Sequence, residues 1–354
     1  MIEAHIDLSA LRDNARRARE LAPNSQLMAV IKANAYGHGM VAVARALQGQ
    51  VDGFAVARWA EALTLREHGI STRLLLLSSR LSSSQFQHAA RANIDLVIHD
   101  TDSARRLCES TLPQPLNIWL KIDTGMHRLG LPGESAAATY AAMRQSANVA
   151  DLLLMSHFAS ADEPDNPFTA LQLQRIDQVN QHLGAPLSIA NSAAIISHPQ
   201  SHRAWIRPGI MLYGANPLGD NAAPTLRAVM TLRSRLLAVR SISAGETVGY
   251  NQRWTSPQPT MIGTVAAGYG DGYPRHAHSG TPVLVNDRRV PLVGRVSMDM
   301  ITVDLGPNAE DQPNDEVILW GEQLPVNDIA KHADTIAYQL LTGVSARVPF
   351  IYSE

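Results

Sequence analysis

The sequence has only one cysteine, Cys108, which excludes an internal disulfide and points to a reducing compartment. Cys108 sits in the helix-like run TDSARRLCES, where a packed thiol is the plain reading. An excess of charge is also missing: Lys plus Arg is 30 and Asp plus Glu is 32. That balance leaves no electrostatic footprint for nucleic acid or for an anionic membrane surface. No run approaches the ~18 apolar residues of a membrane span. The opening MIEAHIDLSALRDNARRARE has no apolar segment of the signal-peptide kind, so a cytoplasmic protein is expected. There is no Cys/His or paired-His spacing and no carboxylate cluster, so no metal is expected. A GxSxG elbow and a GxGxxG fingerprint are absent too. GYGDGY at 268–273 lacks that spacing, and a turn explains it.

What is present is a chain of 354 residues, 45% hydrophobic, enough for two domains and a substantial core. Residues 9–21 read as a first helix that Ser9 can cap, with Leu11, Ala15, Ala18 and Leu21 at helical spacing. From there strands and helices alternate. QLMAVIKA, DGFAVAR, RLLLLSS, IDLVIHD, LNIWLKID, ADLLLMSHF, LSIANS and AWIRPGI are eight strand candidates, each separated from the next by a helical run. They are continuous apolar stretches, as strands covered on both faces require. Eight such units in about 200 residues predict a (β/α)₈ barrel over 9–224, with an open doubly wound sheet as the competitor. Beyond 225 the texture becomes β-rich: MTLRSRLLAV, MITVDLG, DEVILWG, and TPVLVNDRRVPLVG as a hairpin turning at Asn286 and Asp287. One helix is predicted in VNDIAKHADTIAYQLLTG, and a strand at 2–8 can pair with the second domain, 225–354.

The residues that look wrong for a core share one location. Lys32 ends the first barrel strand, Lys121 the fifth with Arg128 just after it, and His157 the sixth. Asn191 and Ser192 end the seventh, and Arg207 the eighth, followed by Pro208 and Gly209. In such barrels the C-terminal ends of the strands carry ligand and catalytic groups. Each residue alone has a bland reading as a loop lysine, a satisfied histidine, a helix cap or a turn; five at one place weigh against it. A lysine among Arg, His, Ser and Tyr suits a Schiff base to an aldehyde, and backbone N–H groups near Ser192 and Gly209 suit a phosphate. An aldehyde with a phosphate handle is pyridoxal 5′-phosphate (PLP).

AVIKANAYGHG, WLKIDTGMHRLG, SHFASADEP, IANSAA, WIRPGIMLYGANP, VGYN, GYGDGYPR, GRVSMDM and AYQLLTGVSARVP, in this order, resemble the bacterial alanine racemases along nearly the whole chain. The resemblance implies a PLP enzyme that interconverts L- and D-alanine, for peptidoglycan supply or D-alanine catabolism. It implies that Lys32 carries PLP as an internal aldimine, and that Tyr36, Ser192, Gly209, Ile210 and Tyr338 hold its phosphate. Arg207 would face the pyridine nitrogen with His157 as its support. Arg128 and Met298 would meet the substrate carboxylate, and Lys121 matches a lysine that is carbamylated in many members. Tyr250 would be the second base, reaching the other subunit of a head-to-tail homodimer, with Tyr269 and Arg295 at the entrance. Asn251, Ser297 and Phe350 depart mildly from the family pattern. Two other readings stay open. A PLP decarboxylase of this architecture would carry a C-terminal cysteine loop and a glutamate in place of Arg207. A non-enzymatic PLP carrier would lack the second domain.

Overall fold

The computed structural model describes residues 2–77, 80–219 and 225–354. The last two residues of the predicted run RLLLLSS, and the predicted boundary residue 224, lie outside them. Asp7 ends strand β1 (Glu3–Asp7) and caps the helix that follows, Leu8–Leu21. Its carboxylate accepts from the Ala10 N–H at 2.8 Å and from the Ser9 hydroxyl at 2.7 Å. The expected Ser9 cap is therefore corrected: Ser9 is already helical, and the acidic side chain of Asp7, two residues earlier and just outside the helix, reaches the free N–H groups.

Eight parallel strands then close on themselves. They are β2 (Gln26–Val30), β3 (Gly53–Val56), β4 (Leu74–Leu76), β5 (Ile94–Ile98), β6 (Leu116–Lys121), β7 (Val149–Met155), β8 (Leu187–Ser188) and β9 (Trp205–Ile206). β9 returns to pair with β2, so the ring is a barrel and the open sheet is excluded. β3, β4 and β5 are buried at every position, which is why their sequences are apolar but for Asp95 in β5. The N-terminal end of the barrel is closed by a polar knot. Asp95 accepts from Arg73 at 2.5 Å, from Asn117 at 3.0 Å and from the Trp119 indole at 3.2 Å. Arg73 also lies 5.1 Å from the Trp205 ring centre. Solvent access is left to the opposite, C-terminal end.

The remaining strands are β10 (Met230–Ile242), β11 (Thr247–Val248), β12 (Trp254–Thr255), β13 (Thr260–Val265), β14 (Pro282–Val285), β15 (Arg288–Pro291), β16 (Ile301–Gly306), β17 (Glu316–Trp320) and β18 (Phe350–Ser353). β14 and β15 form the predicted hairpin, with Asn286 at φ 48° and Asp287 at φ 61°, as a tight primed turn requires. β1 lies between β10 and β18, antiparallel to the first and parallel to the second. The strand that feeds the first barrel helix is thus part of the second sheet. Asn14 of that helix reinforces the seam: its amide donates to Leu212 O and Arg227 O, and its carbonyl accepts from the Arg227 N–H.

The single helix predicted near the end is two, Val326–His332 and Ala337–Gly343. Asp334 takes φ 44° between them, a left-handed break that periodicity alone does not signal. The second of these helices lies against the segment that follows β2 and brings Tyr338 to the barrel mouth.

Candidate active site

Past Ile31 the chain leaves the barrel wall in an unusual way. Residues Ala33, Asn34, Ala35 and Tyr36 all have φ between 52° and 55°, one turn of left-handed helix. For L-residues other than glycine this costs roughly 1–2 kcal/mol each. The sequence places Lys32 at the end of a strand, QLMAVIKA, and carries no sign of the left-handed turn. Lys32 therefore lies two residues beyond β2, at the base of this turn. Gly37 is obligatory, because a Cβ there would lie 2.1 Å from Leu341 O.

The turn faces a cavity of about 680 Å³ at the C-terminal end of the barrel, within the size range of small-molecule sites. Of the residues expected at the site, Lys32, Tyr36, Lys121, Arg128, His157, Ser192, Arg207, Gly209, Ile210 and Tyr338 all line it. Four cations converge there, and among the described residues none of them forms an ion pair with a carboxylate. Burial, then Arg128 and Arg207, hold the Lys32 amine below its ordinary value, with Glu61 opposing. Burial, then Arg207, Arg128 and Lys32, bring Lys121 down to about 8. Burial brings Arg207 down to about 10, which leaves it charged at neutral pH. Arg207 donates to Ser188 Oγ at 2.6 Å and to Ser156 O at 2.6 Å, all neutral acceptors.

The opposite side of the cavity is built for an anion without a charge of its own. Tyr36 stacks on Tyr213 at 4.9 Å and leans on Tyr338 at 5.9 Å. Burial raises the pKa of both cavity phenols, Tyr338 to about 12, so they stay protonated donors. Ser192 opens the helix Ser192–Ser197, and its Oγ accepts from the Gly209 N–H at 2.8 Å. A Cβ at Gly209 would lie 2.5 Å from the Tyr36 hydroxyl oxygen, so only glycine lets the phenol approach this loop.

Tyr250, Met298, Tyr269 and Arg295 are not brought to this cavity within the chain. Tyr250 is 68% exposed and Met298 54% exposed, both on the C-terminal β domain. Other residues went unnoticed in the sequence. Leu77, at the end of the third barrel strand, and Ile336 line the cavity, but apolar residues carry no chemical flag. Glu61 was missed as well. One of its oxygens accepts from the Ala33 N–H at 2.6 Å, the other from Ala57 and Arg58 N–H groups at 2.9 Å each.

No helix among the described residues is long and apolar enough to cross a membrane, and among them no group of three or more His, Cys, Asp or Glu could hold a metal ion. The family model described as alanine racemase, N-terminal domain, matches residues 6–217, and that of the alanine racemase C-terminal domain matches 229–352. The alanine racemase of Shewanella sediminis is 50% identical over 350 residues, covering 98% of this chain and 97% of the relative. That of Actinobacillus succinogenes is 47% identical over 353 residues, covering 99% of each. The crystal structure of the biosynthetic alanine racemase from Pseudomonas aeruginosa superposes with a TM-score of 0.96 at 45% identity, covering 100% of this chain and 99% of that one. The decarboxylase and carrier readings are not favoured by these matches. The chain belongs to the alanine racemase family, isomerases that interconvert the two enantiomers of alanine.

Proposed function

We propose that this chain racemises alanine with PLP, using Lys32 of one protomer and Tyr250 of its partner as bases on opposite faces of the substrate. The proposal also takes 9–224 as the PLP-binding unit and 225–354, joined by the strand at 2–8, as the unit that delivers Tyr250. The observation that carries it is the cavity with four basic side chains, none of which is ion-paired to a carboxylate among the described residues. Such a site needs anions, and a phosphate dianion and a substrate carboxylate supply them. Tyr36, Ser192, Gly209, Ile210 and Tyr338 would hold the phosphate, and Lys32 would hold the aldehyde carbon. When bound, PLP supplies the electron sink that acidifies the α-proton.

The chain's own residues do the rest. Lys32 has to be neutral to attack an aldehyde or to take a proton, and its buried, cation-rich setting favours that form. Arg207 keeps its charge, so a ring nitrogen that meets it is discouraged from taking a proton, which restrains side reactions. His157 lies beside Arg207 and supports it. Arg128 offers a planar fork to the alanine carboxylate, and the Met298 backbone would meet the same group from the partner. A carbamate on Lys121 would place an anion next to Arg128 and hold the fork in place.

One base cannot reach both faces of a planar carbon, so a second must come from elsewhere. Tyr250 is exposed on its own protomer, as a group that completes another chain's site would be. A head-to-tail homodimer shares two such sites reciprocally, with Tyr269 and Arg295 at the entrance. The single cysteine suits a cytoplasmic enzyme. The test is deuterium exchange at Cα over a panel of amino acids with added PLP. Exchange from both alanine enantiomers supports the proposal; exchange without inversion, or carbon dioxide release, rejects it.

A further inference from the structure

The left-handed turn at 33–36 is costly, yet it carries both Lys32 at its base and Tyr36 at its end. Something must hold it. His38 lies beneath it, fully buried, with Nδ1 3.1 Å from Ala35 O and 3.0 Å from Tyr36 O. Both neighbours are acceptors, so Nδ1 carries the proton and donates to the turn. Burial, opposed by those two bonds, brings His38 down to about 4, so the ring is neutral at physiological pH. Nε2 has no partner. An apolar side chain would avoid leaving that nitrogen unpaired. What histidine adds at this position is one N–H aimed at two carbonyls of the turn. The same ring lies 4.6 Å from Tyr213, which stacks on Tyr36.

Glu61 grips the turn from the other side. It ties the Ala33 N–H, directly after Lys32, to the backbone at Ala57 and Arg58 on the neighbouring βα loop. We propose that His38 and Glu61 are positioning residues: between them they hold the strained turn, and so fix where the Lys32 amine and the Tyr36 phenol meet the cofactor. Neither residue lines the cavity, so both act through the backbone. The inference rests on the reading that Lys32 and Tyr36 hold PLP.

The full chain, freed of cofactor, is titrated with PLP and read by the visible absorbance of the lysine-bound form. A wild-type chain that shows no such band overturns the underlying reading. With the wild type binding, His38→Phe keeps the ring and removes the N–H; it is expected to bind about tenfold more weakly, as loss of a buried hydrogen bond implies. His38→Asn keeps a donor at similar reach and should bind within about threefold of the wild type. Adding Ala33→Gly to His38→Phe should recover most of the loss, because glycine holds positive φ without a clamp. Equal affinity for His38→Phe and the wild type, or a loss that Ala33→Gly does not recover, overturns the inference. If His38→Phe does not fold, Glu61→Gln decides: it keeps the shape but cannot accept on both sides. A several-fold loss recovered by Ala33→Gly supports the clamp, and unchanged binding rejects it.

Discussion

Arg207 Nη2 lies 3.5 Å from Nδ1 of His157, a guanidinium beside an imidazole, and among the described residues no carboxylate is ion-paired to either. Burial first, and then Arg207, Lys121, Arg128 and Lys32, push the His157 pKa well below its ordinary value. The imidazole is therefore expected to stay neutral across the range, around pH 6.5, in which an exposed histidine titrates. Its ring NMR shifts should be flat there in the wild type. Replacing Arg207 by Met removes the largest of the four charges and should move the His157 titration upward. A His157 that titrates normally in the wild type would contradict the picture of an all-cationic, anion-demanding cavity.

Gly209 sits where a Cβ would come within 2.5 Å of the Tyr36 hydroxyl oxygen. Tyr36 is wedged between Tyr213 and Tyr338 and cannot simply swing aside. Gly209→Ala is expected to cost about 1–3 kcal/mol of stability, the usual penalty of overpacking. It should weaken PLP binding at the same time. The clash is with one oxygen atom, so Tyr36→Phe in the Gly209→Ala background should restore part of the lost melting temperature. Additive losses in that double-mutant cycle would show that the two residues do not meet.

The Lys121 amine, down to about 8, is poised between its forms at mildly alkaline pH. Only the neutral amine attacks carbon dioxide, forming a C–N bond and releasing one proton. Because the pKa is lowered, the neutral fraction rises as the pH climbs through about 8. With ¹³C-bicarbonate, one protein carbamate resonance should grow over that interval and be missing in Lys121→Met. A spectrum without that resonance at any pH would leave the cavity with four cations and no fixed anion.

Much of this was legible in the residues, for identifiable reasons. Apolar runs such as LLLL at 74–77 point to strands covered on both sides, and eight of them favour the barrel, but the closure of β9 onto β2 that excludes the open sheet is not written in any one run. Lys32, Lys121 and Arg207 were visible because cations at the ends of such runs violate the core pattern. What stayed hidden depends on tertiary contact. The left-handed turn after Lys32 runs against the propensity of Ala33 and Ala35, and it is held by Glu61, 28 residues away from Ala33. His38 carries no role in the sequence reading, since its partners are main-chain carbonyls that no sequence pattern reveals.

Tyr250 gives the sharpest test of the shared site. If it serves only one face of the substrate, Tyr250→Phe should abolish α-proton abstraction from L-alanine far more than from D-alanine, where Lys32 is the base. Equal losses would reject the two-base scheme. The same pair tests the assembly. Lys32→Ala and Tyr250→Phe are each expected to be inactive as racemases. Co-refolded in equal amounts, half of the dimers are mixed, and each mixed dimer has one site with both groups intact. Racemase activity should therefore return to about a quarter of the wild-type value. A mixture as inactive as its parents means that Tyr250 acts within its own chain or not at all, and the exposed phenol would then need another explanation.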